Sequence, residues 1–172
     1  MASSNNPVIK ITELEQVCMV VHDITKSMEA MWNTFAIGPW DIYVCNPDSL
    51  SDMTYHGKPA RFAFKVARTH NKLGGIEIEL IEPVEGDNIY RDFLREHGEG
   101  IQHLGWHKVN SLEAFAETTQ RLERAGFPCI MSGHSPRSAF AYFDTTAVLN
   151  TTLEVSWWYP NVTPHPDYTF PA

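Results

Sequence analysis

Apolar and polar positions along the chain follow two periods, and the order in which they alternate outlines the fold. Val17-Cys-Met-Val-Val21 is a β-type run, and Asp23 behind it is a good N-cap for a helix over 24–35. Within that segment Ile24, Met28, Met31, Trp32 and Phe35 recur at helical spacing. Gly38-Pro39 breaks the helix, and residues 40–45 read as a strand. The stretch 46–60 is rich in Asn, Asp, Ser, Pro and Gly and reads as a loop. Strands are expected over 61–69 and 76–81 on either side of the turn Lys72-Leu-Gly-Gly75, then a short helix over 89–96 closed by Gly98 or Gly100.

The pattern then restarts. Residues 103–109 read as a strand, Ser111 caps a helix running to about Ala125, and Gly126 stops it. Strand-like stretches follow around 129–131, 139–143 and 151–157, while the Pro-rich tail 159–172 is expected to wrap the surface without regular structure. Each half spells strand, helix, strand, strand, strand, one over about 14–82 and the other over about 101–158. The order of elements carries this repeat, since identity between the halves is low. It predicts an α+β fold, a single domain over 1–172, in which two βαβββ modules form a curved mixed sheet around one cavity.

Residues two apart share a strand face. Val17, Met19 and Val21 suit packing on a helix, leaving Gln16, Cys18 and Val20 opposite. By the same parity Glu77 and Glu79 oppose Ile78 and Leu80, while His103, Gly105 and His107 oppose Leu104 and Trp106. In the last strand Thr152, Glu154 and Ser156 oppose Leu153, Val155 and Trp157. The alternation fits a sheet with one side in water. It equally fits a cup whose concave face gathers Gln16, Glu79, His103 and Glu154, from the first and last strands of each half. One imidazole, two carboxylates and one amide oxygen make an O/N-rich site for a divalent ion.

Composition narrows the function. The chain has 172 residues with 43% hydrophobic and 20% charged, enough for a substantial interior and too apolar for a disordered chain. A formal charge of -8 and the lack of a basic run argue against nucleic acid. No apolar stretch approaches the roughly 18–20 residues of a membrane span. Met1 to Lys10 is polar and lacks a signal core, and Cys18, Cys45 and Cys129 are odd in number and far apart. The expectation is a cytoplasmic protein with reduced thiols.

Four stretches in order resemble the vicinal oxygen chelate superfamily, which includes glyoxalase I, methylmalonyl-CoA epimerase, extradiol dioxygenases and bleomycin-resistance proteins. They are Leu14-Glu-Gln-Val-Cys-Met-Val-Val-His-Asp-Ile-Thr-Lys-Ser27, Gly75-Ile-Glu-Ile-Glu-Leu-Ile-Glu-Pro83, Gly98-Glu-Gly-Ile-Gln-His-Leu-Gly-Trp106, and Tyr142-Phe-Asp-Thr145 with Leu153-Glu-Val155. The resemblance covers about residues 14–158 and places the family's metal ligands on Gln16, Glu79, His103 and Glu154. That set looks like the one of zinc-type glyoxalase I, whereas Ile37-Gly-Pro-Trp40 and the Glu-Leu-Ile-Glu-Pro strand look more like the epimerase branch. Gln16 stands where dioxygenases keep a His, and Val20 and Val21 stand where glyoxalase I carries its glutathione-binding Arg. Dioxygen chemistry and glutathione use are therefore not implied.

The resemblance implies an enzyme with one divalent ion, zinc first, with nickel, cobalt, manganese or magnesium as alternatives. The reaction expected is redox-neutral proton transfer next to a carbonyl, of the isomerase, epimerase or lyase type, by way of a metal-stabilised enolate. Glu154 is the first candidate for base and Glu79 the second. Glu77, His107, Trp40, Tyr43, Phe62, Phe64 and Arg137 are candidate pocket residues for a small-molecule substrate. The competing readings are a metal-free binding or resistance protein and a cyclase that reuses the cavity. A homodimer is expected, because paired modules leave sheet edges to cover.

Overall fold

The computed structural model describes residues 6–106 and 109–171. Module one contains β1 (Gln16–Val20), α1 (Ile24–Phe35), β2 (Trp40–Cys45), β3 (Ser51–Tyr55), β4 (Lys58–Pro59), β5 (Ala63–Thr69) and β6 (Glu77–Glu85). The helix α2 (Ile89–His97) leads into module two, which comprises β7 (Gly100–Trp106), α3 (Leu112–Arg124), β8 (Cys129–His134), β9 (Ser138–Phe143), α4 (Thr146–Leu149) and β10 (Thr152–Trp158). A last strand, β11 (Tyr168–Phe170), follows. Asp23 caps α1 by accepting from the Lys26 N–H at 3.1 Å, and Ser111 caps α3 by accepting from Ala114 at 3.0 Å. Each such cap stabilises its helix by about 1 kcal/mol.

Among the described residues the strands form one sheet, in the order β11-β2-β5-β6-β1-β7-β10-β9-β8-β3-β4. The two modules repeat each other in space. The first strand of each lies parallel to its last, β1 to β6 and β7 to β10, and β1 and β7 join antiparallel at the centre. Helix α1 covers the convex face of module one through Ile24 and Met28 on Ile42, Ala67 and Leu80. Helix α3 covers module two, with Leu122 in the cluster of Phe143, Leu153 and Val155. The concave face is itself a core, built of Val20, Phe62, Phe64, Ile81, Tyr90, Met131 and Phe140.

Three local expectations are corrected. The polar stretch 46–60 contains the β3–β4 hairpin, and β3 pairs antiparallel with β8 of the other module. Its pairing is non-local, with Thr54 and Ser132 joining hydroxyls at 2.7 Å, so loop-like composition concealed it. The C-terminal tail contributes β11, which pairs with the edge of β2, while the Asp167 carboxylate accepts the Val44 N–H at 2.7 Å. An edge strand left open is a liability, and the tail covers this one. The strand expected over 103–109 begins earlier, at Gly100, and the short helix α4 fills the stretch between β9 and β10 that had no assigned element. After β6 the chain turns at Gly86 with φ +74, where an added Cβ would meet the Arg61 carbonyl oxygen at 2.2 Å. Glycine is the residue that position admits.

Candidate active site

The four central strands, β6-β1-β7-β10, carry Glu79, Gln16, His103 and Glu154 on their concave face. All four are buried, at 2%, 0%, 0% and 4% exposure respectively. Register explains the convergence. Cys18 on β1 is flanked by Glu79 on one side and His103 on the other, and Gly105, without a side chain, lies between Gln16 and Glu154. The His103 Nε2 stands 3.4 Å from Glu79 Oε2 and 3.6 Å from Glu154 Oε2. The Gln16 amide donates to Glu77 Oε1 at 2.6 Å and Glu79 Oε1 at 3.1 Å, which turns its oxygen away from both. His103 Nδ1 lies 2.7 Å from Gln102 Oε1, an acceptor, so this nitrogen carries the hydrogen.

A guanidinium shares the site. Arg68 on β5 bonds Glu79 Oε1 through Nε at 2.9 Å, lies 3.7 Å from Glu77, and stacks 4.7 Å from the Trp158 ring centroid. Burial would raise the Glu79 carboxyl, but Arg68 and His103 prevail and hold it below the usual range. Burial pulls the His103 ring down, yet Glu154 and Glu79 outweigh it and push the ring up to about 9. The Cys18 thiol is pushed well above its ordinary value by burial, then by Glu79 and Glu154. Beneath His103, the Tyr90 hydroxyl donates to Tyr142 at 2.8 Å, and the Tyr142 ring meets the imidazole edge-on at 4.9 Å.

The donor set fits a divalent ion. Gln16 Oε1, Glu79 Oε2 and His103 Nε2 are buried, and none has a hydrogen-bond partner. Glu79 Oε2 and His103 Nε2 meet each other only as an ion pair, and leaving Gln16 Oε1 unmet costs ~1–3 kcal/mol, which an ion would offset. Two atoms bound to one zinc at ~2.1 Å with tetrahedral angles stand ~3.4 Å apart, close to the observed 3.4 and 3.6 Å around His103 Nε2. Cys18 also belongs to this cluster, since its Sγ and the ligand atoms of Glu79 and His103 all lie within 4.8 Å of one another. Strand parity had placed Cys18 on this face without marking it as a donor.

Three pockets surround the site. An inner cavity of about 30 Å³ is lined by Glu79, Glu154, Arg68, Arg137, Tyr142 and Ser156. Arg68 and Trp158 separate it from an outer pocket of about 540 Å³ that includes Glu77, Tyr43, His70 and Lys72. Arg137 separates it from a second outer pocket of about 320 Å³ beneath the tail residues Val162 and Asp167. Of the expected pocket residues, Phe64 and Arg137 line the inner cavity, and Glu77 and Tyr43 the larger outer pocket. Phe62 is fully buried in the inner core beside Phe64. Trp40 departs from the expectation: alternation along β2 turns it outward, where it packs with Ile24, Met28 and Leu80 beneath α1. His107 lies outside the described residues. Arg68 and Trp158 were missed, although Phe64, Val66 and Arg68 share one parity along β5 and would have placed Arg68 inside.

Comparison with known proteins accords with this architecture. The family model described as Glyoxalase/Bleomycin resistance protein/Dioxygenase superfamily matches residues 15–143. Methylmalonyl-CoA epimerase from Mycobacterium tuberculosis superposes with a TM-score of 0.59 at 20% identity, over 87% of this chain and 90% of that one. A hypothetical protein from Bacillus halodurans gives 0.58 at 19%, over 88% and 98%. A methylmalonyl-CoA epimerase in complex with methylmalonyl-CoA and NH4+ gives 0.58 at 15%, over 90% and 100%. At these identities the likeness is one of fold. No curated protein matches the chain.

Proposed function

Since the chain belongs to the glyoxalase/bleomycin resistance protein/dioxygenase superfamily, we propose that it is a divalent-metal-dependent enzyme that moves a proton, without redox change, beside the carbonyl of a small metabolite. The reaction class is isomerase, epimerase or lyase. The observation that supports this reading is the buried His103 Nε2 standing 3.4 Å from Glu79 Oε2 and 3.6 Å from Glu154 Oε2, with the buried Gln16 amide on the strand between those of Glu79 and His103. Gln16, Glu79, His103 and Glu154 would hold the ion, with zinc the first candidate for this mixed N/O set. When bound, the ion supplies Lewis acidity that favours negative charge on a substrate oxygen.

The protein groups divide the remaining work. Glu79 is pinned through Oε1 by Arg68 and Gln16, which makes it a fixed donor and a weak base. Gln102 holds the His103 ring and sets which nitrogen faces the site. Glu154 is the base: it takes the proton from the carbon next to the carbonyl while the C–H electron pair shifts to the carbonyl oxygen. Return of that proton to a neighbouring atom on the same face gives an isomer, whereas an epimer requires a second acid to protonate the opposite face while Glu154 keeps the proton it took. A methylmalonyl-CoA complex among the structural neighbours supports a substrate with an acidic C–H beside a carbonyl.

Elemental mass spectrometry of tag-free protein tests the reading, with about one divalent ion per chain expected, lost in the Gln16→Ala, Glu154→Ala double variant. No retention of zinc, nickel, cobalt or manganese would overturn it and favour metal-free small-molecule binding.

A further inference from the structure

The inner cavity contains two polar groups that proton transfer leaves unused. Arg137 Nη1 is buried without a hydrogen-bond partner, and so is Ser156 Oγ. Both line the cavity that holds Glu79 and Glu154. Ser156 is there by strand parity, two residues after Glu154 on β10. Arg137 comes from the β8–β9 turn, where the Ser135 hydroxyl accepts its backbone N–H at 3.1 Å. Its guanidinium carbon lies over the Tyr43 ring, 3.6 Å from the centroid, a contact that helps hold the side chain in place.

The two arginines of this cavity differ in one respect. Arg68 is paired with Glu79 and Glu77. Arg137 has no carboxylate within ion-pair distance among the described residues, and burial together with neighbouring Arg68 lowers its pKa. Arg137 is half-buried, and the side of its fork turned from water, Nη1, forfeits hydration with nothing in return unless a partner meets it. A planar fork and a hydroxyl facing one small cavity match a carboxylate, which accepts two parallel N–H donors and still has a lone pair for an O–H. Two glutamates already line this cavity, which sets it against a doubly charged phosphate more than against a singly charged carboxylate.

We propose that Arg137 and Ser156 form a carboxylate-binding subsite, and that the substrate is a small oxo acid whose carboxylate docks there while its acidic C–H faces Glu154. The position of the C–H rests on the proton-transfer reading; the carboxylate subsite does not. Arg137 also borders the 320 Å³ outer pocket, so the remainder of a longer acid extends beneath the C-terminal tail.

Calorimetry on the zinc-supplemented full chain tests the subsite, using glyoxylate, pyruvate and 2-oxobutyrate against the uncharged amides of the last two. The acids should bind roughly tenfold or more tightly than the amides, the usual worth of a charge-assisted pair. Arg137→Gln should abolish the preference, Arg137→Lys should retain part of it, and Ser156→Ala should reduce acid binding several-fold. Equal binding of acid and amide, no saturable binding of any acid, or an unchanged preference in Arg137→Gln overturns the subsite. If Arg137→Gln does not fold, an unchanged preference in both Arg137→Lys and Ser156→Ala overturns it. Deuterium uptake at C3 of 2-oxobutyrate, followed by proton NMR, is read separately. Arg137-dependent acid binding with no uptake keeps the subsite and removes the proton-transfer assignment.

Discussion

Replacing Arg68 by Met removes the cation that holds Glu79 while keeping much of the side-chain volume. Arg68 is 17% exposed and Glu79 2%, and the bond between them is 2.9 Å, so the pair is largely shielded from solvent. Removing Arg68 strips Glu79 of its nearest cation and leaves only the His103 ring to offset the buried charge, a loss toward the lower end of about 3–5 kcal/mol. For a domain of this size each kcal/mol lowers the melting temperature by about 2–4 °C. The expected fall in the metal-free protein is therefore toward the lower end of about 6–20 °C. The double variant Arg68→Met, Glu79→Gln removes both charges and should recover part of that loss, through a coupling of about 0.5–3 kcal/mol. A divalent ion would supply the missing positive charge beside Glu79, so zinc should raise the melting temperature of Arg68→Met more than that of the wild type. Differential scanning calorimetry with and without zinc reads all three quantities. A single variant melting within about 2 °C of wild type, or a double variant no more stable than the single, would refute the buried-pair reasoning.

Glu154→Gln should still fold, with a lower melting temperature from the lost His103 ion pair, and should abolish deuterium exchange into the substrate; exchange at a near-normal rate would remove Glu154 as base. The His103 ring is raised from 6.5 to about 9, so its ion pairs stabilise the metal-free fold fully below 6.5, and that stability is lost as pH rises through about 9. Because an ion needs the ring's lone pair, zinc affinity measured by competition should climb with pH and level off above about 9. Cys18→Ala should retain bound ion and Gln16→Ala should lose it, since the Cys18 thiol resists ionisation beside Glu79 and Glu154; the opposite result by elemental analysis would make Cys18 the ligand. Gly86→Ala should lower stability by about 1–3 kcal/mol in denaturant melts, from the positive φ and the Arg61 carbonyl it would strike.

Local chemistry made much of the fold readable along the chain. Helix α1 and strand β2 occupy the predicted residues because Asp23 starts one, Gly38-Pro39 separates them, and the apolar period changes between them. The concave gathering of Gln16, Glu79, His103 and Glu154 was equally legible, since parity along a strand is geometric and does not depend on the neighbouring strands. Elements whose partners are distant in sequence were not. Strand β3 exists because β8 of the other module offers it an edge, and β11 because β2 does. Trp40 obeyed its parity, yet which side of β2 faces α1 is a matter of packing.

The sequence by itself determined which residue types alternate inward and how often the pattern repeats. Tertiary structure alone decided what those residues meet. It brought Arg68 from β5 onto Glu79, laid Trp158 over that guanidinium, set Arg137 against Tyr43, and paired His103 with Glu79 and Glu154. Periodicity is a property of a single strand, whereas charge pairing and cavity shape depend on curvature accumulated across the whole sheet.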